Sequence, residues 1–120
     1  MEKFSDYIRL GIPLIPARRE GLLFYYGDDG EPCAACALGT GMIAAGMKFR
    51  SHSQILRRWP ILSKRVQCPV PMCDDFFSLW LVASELFETH GWSREQVADF
   101  IEPHEEAAIL VPQEAERALR

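Results

Sequence analysis

Residues 74–102, DDFFSLWLVASELFETHGWSREQVADFIE, carry the strongest local signals in the chain. Phe76, Trp80, Ala83 and Phe87 recur at spacings of four, three and four, and Leu79, Val82 and Leu86 form a second apolar seam beside them. That period is helical, and a helix apolar around most of its girth belongs in an interior. Asp74 and Asp75 would place negative charge at its N-terminus, where the dipole favours it. His90 suits the opposite end, Gly91 the left-handed position after it, and Trp92 a return contact onto Phe87. Ser93 and Gln96 match a capping box for a second helix, with Trp92 stapled to Val97. Val97, Phe100 and Ile101 supply that helix with a buried face, and Pro103 is expected to stop it. The stretch therefore predicts an αα-hairpin, about 74–90 and 93–102, with Trp92 sealed between its helices.

Working outward, residues 34–48 (AACALGTGMIAAGMK) are almost entirely small or apolar. Three glycines within them lower helix stability, by up to about 1 kcal/mol each relative to alanine, so this helix is expected in the interior, where burial offsets the cost. Ser51 or Ser53 can cap a further helix through Arg58, ended by Trp59-Pro60. LLFYY at 22–26, followed by Gly27-Asp28-Asp29-Gly30, looks like a strand entering a tight turn, and a short β-hairpin is placed near 22–33. Residues 3–10 allow one or two helical turns before Gly11 and Pro13. The fold class that results is mainly α, one compact globular helical domain over 1–103. Residues 104–120 form an acidic C-terminal tail or a short terminal helix.

A chain of 120 residues with 48% hydrophobic and 25% charged residues is in the ordinary range for one folded domain. No stretch is apolar for long enough to span a bilayer, and the start lacks the layout of a secretory signal, so a cytoplasmic protein with reduced thiols is expected. The net charge of −4 is unevenly spread. Residues 1–31 carry six acids against four bases, residues 32–73 six bases and no acid, and residues 74–120 eleven acids against three bases. The six bases are Lys48, Arg50, Arg57, Arg58, Lys64 and Arg65. They either pair with the acidic end of the chain or face an anionic partner. Internal pairing is expected for Arg57 and Arg58, exposure for Lys64 and Arg65.

Four cysteines fall in two close pairs, Cys33-x2-Cys36 and Cys68-x4-Cys73, the ligand spacing of structural zinc sites. Four thiolates would complete a tetrahedral shell, yet a core of this size folds without metal and Cys36 also reads as a small buried hydrophobe. No cofactor is therefore required, and zinc at Cys33, Cys36, Cys68 and Cys73 is the alternative. Cys33-Ala34-Ala35-Cys36 also allows a redox reading, but the strand–helix alternation of a thioredoxin-like sheet is missing. The glycines at 39, 41 and 46 match neither a dinucleotide nor a phosphate loop. A DNA-reading helix-turn-helix is disfavoured because Glu95, Asp99 and Glu102 surround a lone Arg94.

CALG at 36–39, opening a run of small residues, and HGWSREQVADFI at 90–101 resemble a family of small hypothetical proteins from bacteria and phages. The resemblance covers about half the chain and implies no activity, cofactor or binding residue. The expectation from residues alone is a non-enzymatic intracellular interaction, adaptor or regulatory protein, with a protein as partner and a homo-oligomer allowed. The alternatives are a thiol- or zinc-dependent protein centred on Cys33 and Cys36 with Cys68 and Cys73, and nucleic-acid binding through residues 48–65.

Overall fold

A computed structural model describes residues 2–21, 23–47 and 51–118. The elements run α1 (Phe4–Gly11), β1 (Phe24–Tyr26), β2 (Pro32–Ala35), α2 (Ala37–Ala44), α3 (His52–Arg58), a 3-10 turn at Pro60–Ser63, β3 (Arg65–Gln67), β4 (Phe76–Ser78), α4 (Leu79–Glu88) and α5 (Arg94–Ala118). Two antiparallel two-stranded sheets, β1–β2 and β3–β4, stand among the helices. The fold is mixed α and β, which corrects the mainly-α expectation.

The correction originates in the stretch that dominated the sequence. Asp74 and Asp75 do not open a helix. They lie in the β3–β4 connection, where the Asp75 carbonyl accepts the Cys68 amide at 2.9 Å and the Gln67 side chain at 3.1 Å. Phe76 to Ser78 pair with Arg65 to Gln67, and α4 begins only at Leu79. Strand pairing with a segment ten residues upstream outcompetes the local helical signal, because it gives the backbone groups of both segments partners at once. Phe76 and Phe77 end up exposed, whereas Leu79, Val82, Ala83, Leu86 and Phe87 are buried. The expected αα-hairpin at 74–90 and 93–102 is thus replaced by a short α4 joined to a long α5.

The turn between those helices keeps its local chemistry. Gly91 takes φ +72°, and Ser93 and Gln96 exchange both capping hydrogen bonds, at 2.8 and 3.0 Å. The last turn of α4 is wider than expected: the His90 amide reaches the Glu85 carbonyl and the Trp92 amide reaches that of Leu86. Trp92 is only half-buried, edge-on to Phe100 at 6.3 Å, and does not seal two helices. Arg19 from the loop after α1 donates to the Phe87 and Trp92 carbonyls and so satisfies this helix end.

The core centres on α2, whose residues Ala37 to Met42 are all buried. A Cβ on Gly41 would stand 2.6 Å from the Phe4 ring, and one on Gly11 would collide with the Thr40 carbonyl, so these glycines let α1 and α2 touch. Arg94 at the start of α5 ties the same corner together. Its guanidinium donates to the Ile15 carbonyl at 2.6 Å, the Thr40 hydroxyl at 3.0 Å and the Ile12 carbonyl at 3.3 Å.

Pro103 does not stop α5. The helix crosses the expected boundary at 103 and continues to Ala118, because contacts on both sides of the proline hold it. Val97, Ala98 and Ile101 are fully buried before it, and Glu105, 4% exposed, follows it. The Glu105 carboxylate accepts the Phe4 amide at 2.6 Å and the Ser5 amide at 3.2 Å, so it caps α1 from across the molecule. Burial raises its pKa, against the lowering effect of these hydrogen bonds. Glu102 and Asp99 add ion pairs to Arg9 at 2.9 and 2.8 Å, and Lys3 reaches Glu102 at 3.2 Å. Among the described residues, the acidic end therefore pairs with the first helix and with the residue preceding it.

Candidate metal centre

The sequence singled out four cysteines, and the structure separates them into two unlike settings. Cys33 is exposed on β2. Cys36 is buried at the N-cap of α2, and burial pushes its thiol up, with the Gly39 and Leu38 amides acting in the opposite direction. Cys33, the thiol that would attack in a redox C-x-x-C, lies on β2 and not at the N-terminus of α2, so the helix dipole does not act on it as that chemistry needs. Among the described residues, neither Cys33 nor Cys36 belongs to a group of convergent ligand atoms.

Cys68 and Cys73 do. With Glu85 and His90 they place two sulfurs, one carboxylate oxygen and one imidazole nitrogen within 4.8 Å of one another. Three of the separations are 3.7 Å from Cys68 Sγ to His90 Nε2, 3.5 Å from Cys73 Sγ to Glu85 Oε1, and 3.4 Å from His90 Nε2 to Glu85 Oε1. Cys68 follows β3 directly and is buried. Cys73 closes a turn: its amide bonds the Val70 carbonyl at 3.1 Å, Pro71 occupies the second position, and Met72 the third at φ +69°. Proline presets the second position of such a turn, while the left-handed third position normally goes to glycine. Met72 is fully exposed and is the one non-glycine residue with positive φ among those described.

Glu85 lies near the far end of α4 and His90 two residues beyond that end, five residues apart. On a regular helix, residues at that spacing diverge around the axis. The widened last turn brings the imidazole back onto the carboxylate. Nothing in the local pattern marks this pair, and the sequence explains His90 adequately as a cation at a helix end. The one signal available was the spacing Cys68-x4-Cys73, which supplies half the group.

The electrostatics of the cluster are those of anionic groups crowded together. The Asp75 carboxylate, followed by burial, raises Glu85. The Asp75 amide acts to lower the Cys73 thiol, but the Cys68 sulfur, burial and Glu85 outweigh it and push that thiol up to about 12. A bound divalent cation would relieve both, and would have to displace the thiol protons to do so. Cys68, Cys73, Glu85 and His90 could hold a metal ion.

Of the six basic residues between 48 and 65, Arg57, Arg58, Lys64 and Arg65 are described. Lys48 and Arg50 lie outside the described residues. Arg58 is engaged by Glu2 at 2.8 Å, inside the chain as expected but with a carboxylate from the N-terminus in place of one from 95–116. Arg65 donates to the Phe76 carbonyl at 2.9 Å and stacks over the Phe76 ring. Arg57 and Lys64 are exposed. No helix among the described residues is long and apolar enough to cross a membrane. No family model, curated protein or solved structure matches the chain.

Proposed function

We propose that this chain is a small, non-enzymatic protein-interaction domain whose β3–β4 hairpin is fastened to α4 by one zinc ion on Cys68, Cys73, Glu85 and His90. The observation that carries the metal is the spacing of the ligand atoms. With Zn–S near 2.3 Å and Zn–N or Zn–O near 2.1 Å, a tetrahedral centre has edges of about 3.6 Å for S–N and S–O and about 3.4 Å for N–O. The 3.7, 3.5 and 3.4 Å separations lie close to those edges. Two thiolates favour zinc over calcium or magnesium, which take oxygen ligands. Four protein ligands fill the tetrahedron, the arrangement of a structural ion with no position left for substrate. The interaction role is supported by Met72, Phe76, Phe77 and Leu81, large apolar side chains exposed on the same hairpin and helix.

The test is elemental analysis of protein purified under reducing conditions, together with cobalt substitution. One zinc per chain is expected, with a cobalt spectrum showing thiolate charge transfer and tetrahedral ligand-field bands. Cys68→Ser and Cys73→Ser should lose the metal, whereas Cys33→Ser and Cys36→Ser should keep it. A metal-free wild type that cannot be loaded would overturn the zinc reading. Loss of zinc from Cys33→Ser would return the site to the four-cysteine arrangement.

A further inference from the structure

The outer face of α4 and the Phe77 side chain of β4 line a shallow, open groove of about 330 Å³ formed by Phe77, Leu81, Ser84, Glu85, Glu88 and Thr89. Two of these residues are exposed apolar groups, Phe77 and Leu81. Glu85 is turned towards the cluster of sulfurs and the His90 ring, and Ser84 bonds the Trp80 carbonyl at 3.0 Å. That leaves Glu88. Among the described residues no hydrogen bond or ion pair reaches its carboxylate, which is partly buried at the edge of the groove. A carboxylate partly withdrawn from water without a cation is an unfavourable arrangement in the free protein, and an incoming cation relieves it.

We propose that this groove docks a protein segment presenting one aliphatic side chain and, about 10 Å further along, one arginine: the aliphatic group against Phe77 and Leu81, the guanidinium on Glu88. The spacing follows from the helix itself, because Leu81 and Glu88 are seven residues apart and each residue rises 1.5 Å, giving about 10 Å. Arginine fits better than lysine. Its planar fork meets a carboxylate with two hydrogen bonds and is more weakly hydrated, which suits a half-buried acceptor. A partner helix carrying the two side chains at i and i+7 would satisfy this spacing in the helix-in-groove mode. The inference rests on the reading of the chain as an interaction domain and not on the zinc.

The probe is an alanine- and glutamine-based helical 14-mer with one leucine and, seven residues later, one arginine, titrated into isotope-labelled protein and followed by amide shifts. Shifts are expected at Phe77, Leu81, Ser84, Glu88 and Thr89. Affinity should fall about tenfold when the peptide arginine is replaced by glutamate, and by a similar factor for Glu88→Gln protein. Equal binding by Glu88→Gln, or no binding by either peptide, would overturn the inference. Shifts confined to another surface would also overturn it while leaving an interaction domain standing. Binding at the groove by protein that takes up no zinc would support it and remove the metal alone.

Discussion

The corner where α1, α2 and α5 meet and the unit formed by the β3–β4 hairpin on α4 are built on opposite plans. The first is closed. Phe4, Ile8, Leu38, Met42 and Ile101 are fully buried there, and Glu105 and Arg94 satisfy backbone groups that would otherwise be orphaned. The second is open. Its four ligand side chains converge, a non-glycine residue stands at positive φ, and Met72, Phe76, Phe77 and Leu81 are exposed. The difference teaches where to look for what the molecule does. A region whose side chains meet its own backbone groups has spent them on the fold, and a region whose metal-ligating side chains converge on one point has them available to something outside the chain.

The largest expected effect probes the closed corner. Gly41→Val would drive a branched side chain into the Phe4 ring and should destabilise the protein by about 3 kcal/mol in urea unfolding. The loss should be the same with and without zinc. A loss that appeared only in the absence of metal would mean that the two regions are not independent. Next comes the open unit. Zinc at a hundredfold excess over its Kd should stabilise the wild type by about 2.7 kcal/mol, and Cys68→Ser should abolish that gain. A melting temperature of the wild type indifferent to chelator would break the contrast from the other side.

Glu105→Ala should cost about 1–2 kcal/mol, the value of a lost helix cap, because two buried amides lose their acceptor. The pH dependence sharpens this. The folded-state pKa of Glu105 is raised above 4.5, so the native state holds its proton more tightly than the unfolded chain does. Its stabilising contribution is then fullest below that value and is lost as pH rises through the folded pKa. Relative to Glu105→Gln, the wild type should therefore lose stability on going upward from about pH 4.5, the ordinary carboxyl value. A difference that grew in the other direction would show that the two hydrogen bonds outweigh burial. The smallest effect is Met72→Gly, which relieves a left-handed methionine that packs on nothing and should stabilise by about 0.5 kcal/mol, readable as a small rise in Tm. No change would indicate that the turn relaxes freely when metal is absent.

What was legible in the sequence is what neighbouring residues decide among themselves. Gly91, the Ser93–Gln96 box and the buried run at 37–42 follow from contacts within a few positions, and so does the turn after Tyr26. What was not legible depends on partners far along the chain. Phe76 to Ser78 become a strand because Arg65 to Gln67 lie alongside, and Pro103 is carried inside a helix by anchors on both of its flanks. The candidate centre shows both kinds of information. Cys68 and Cys73 declare themselves by spacing, whereas Glu85 and His90 join them only through a widened helical turn that periodicity does not describe.

The cap on α1 has a consequence for how the chain is made. Lys3, the residue preceding α1, offers no side-chain cap of its own, and the carboxylate that performs this task is a hundred residues downstream. During synthesis at roughly 5–20 residues per second, α1 therefore waits on the order of ten seconds after its own appearance for the group that finishes it. A nascent chain halted before Glu105 would hold the beginnings of every other element yet leave α1 uncapped, so this corner of the fold closes only once α5 has been made through Glu105.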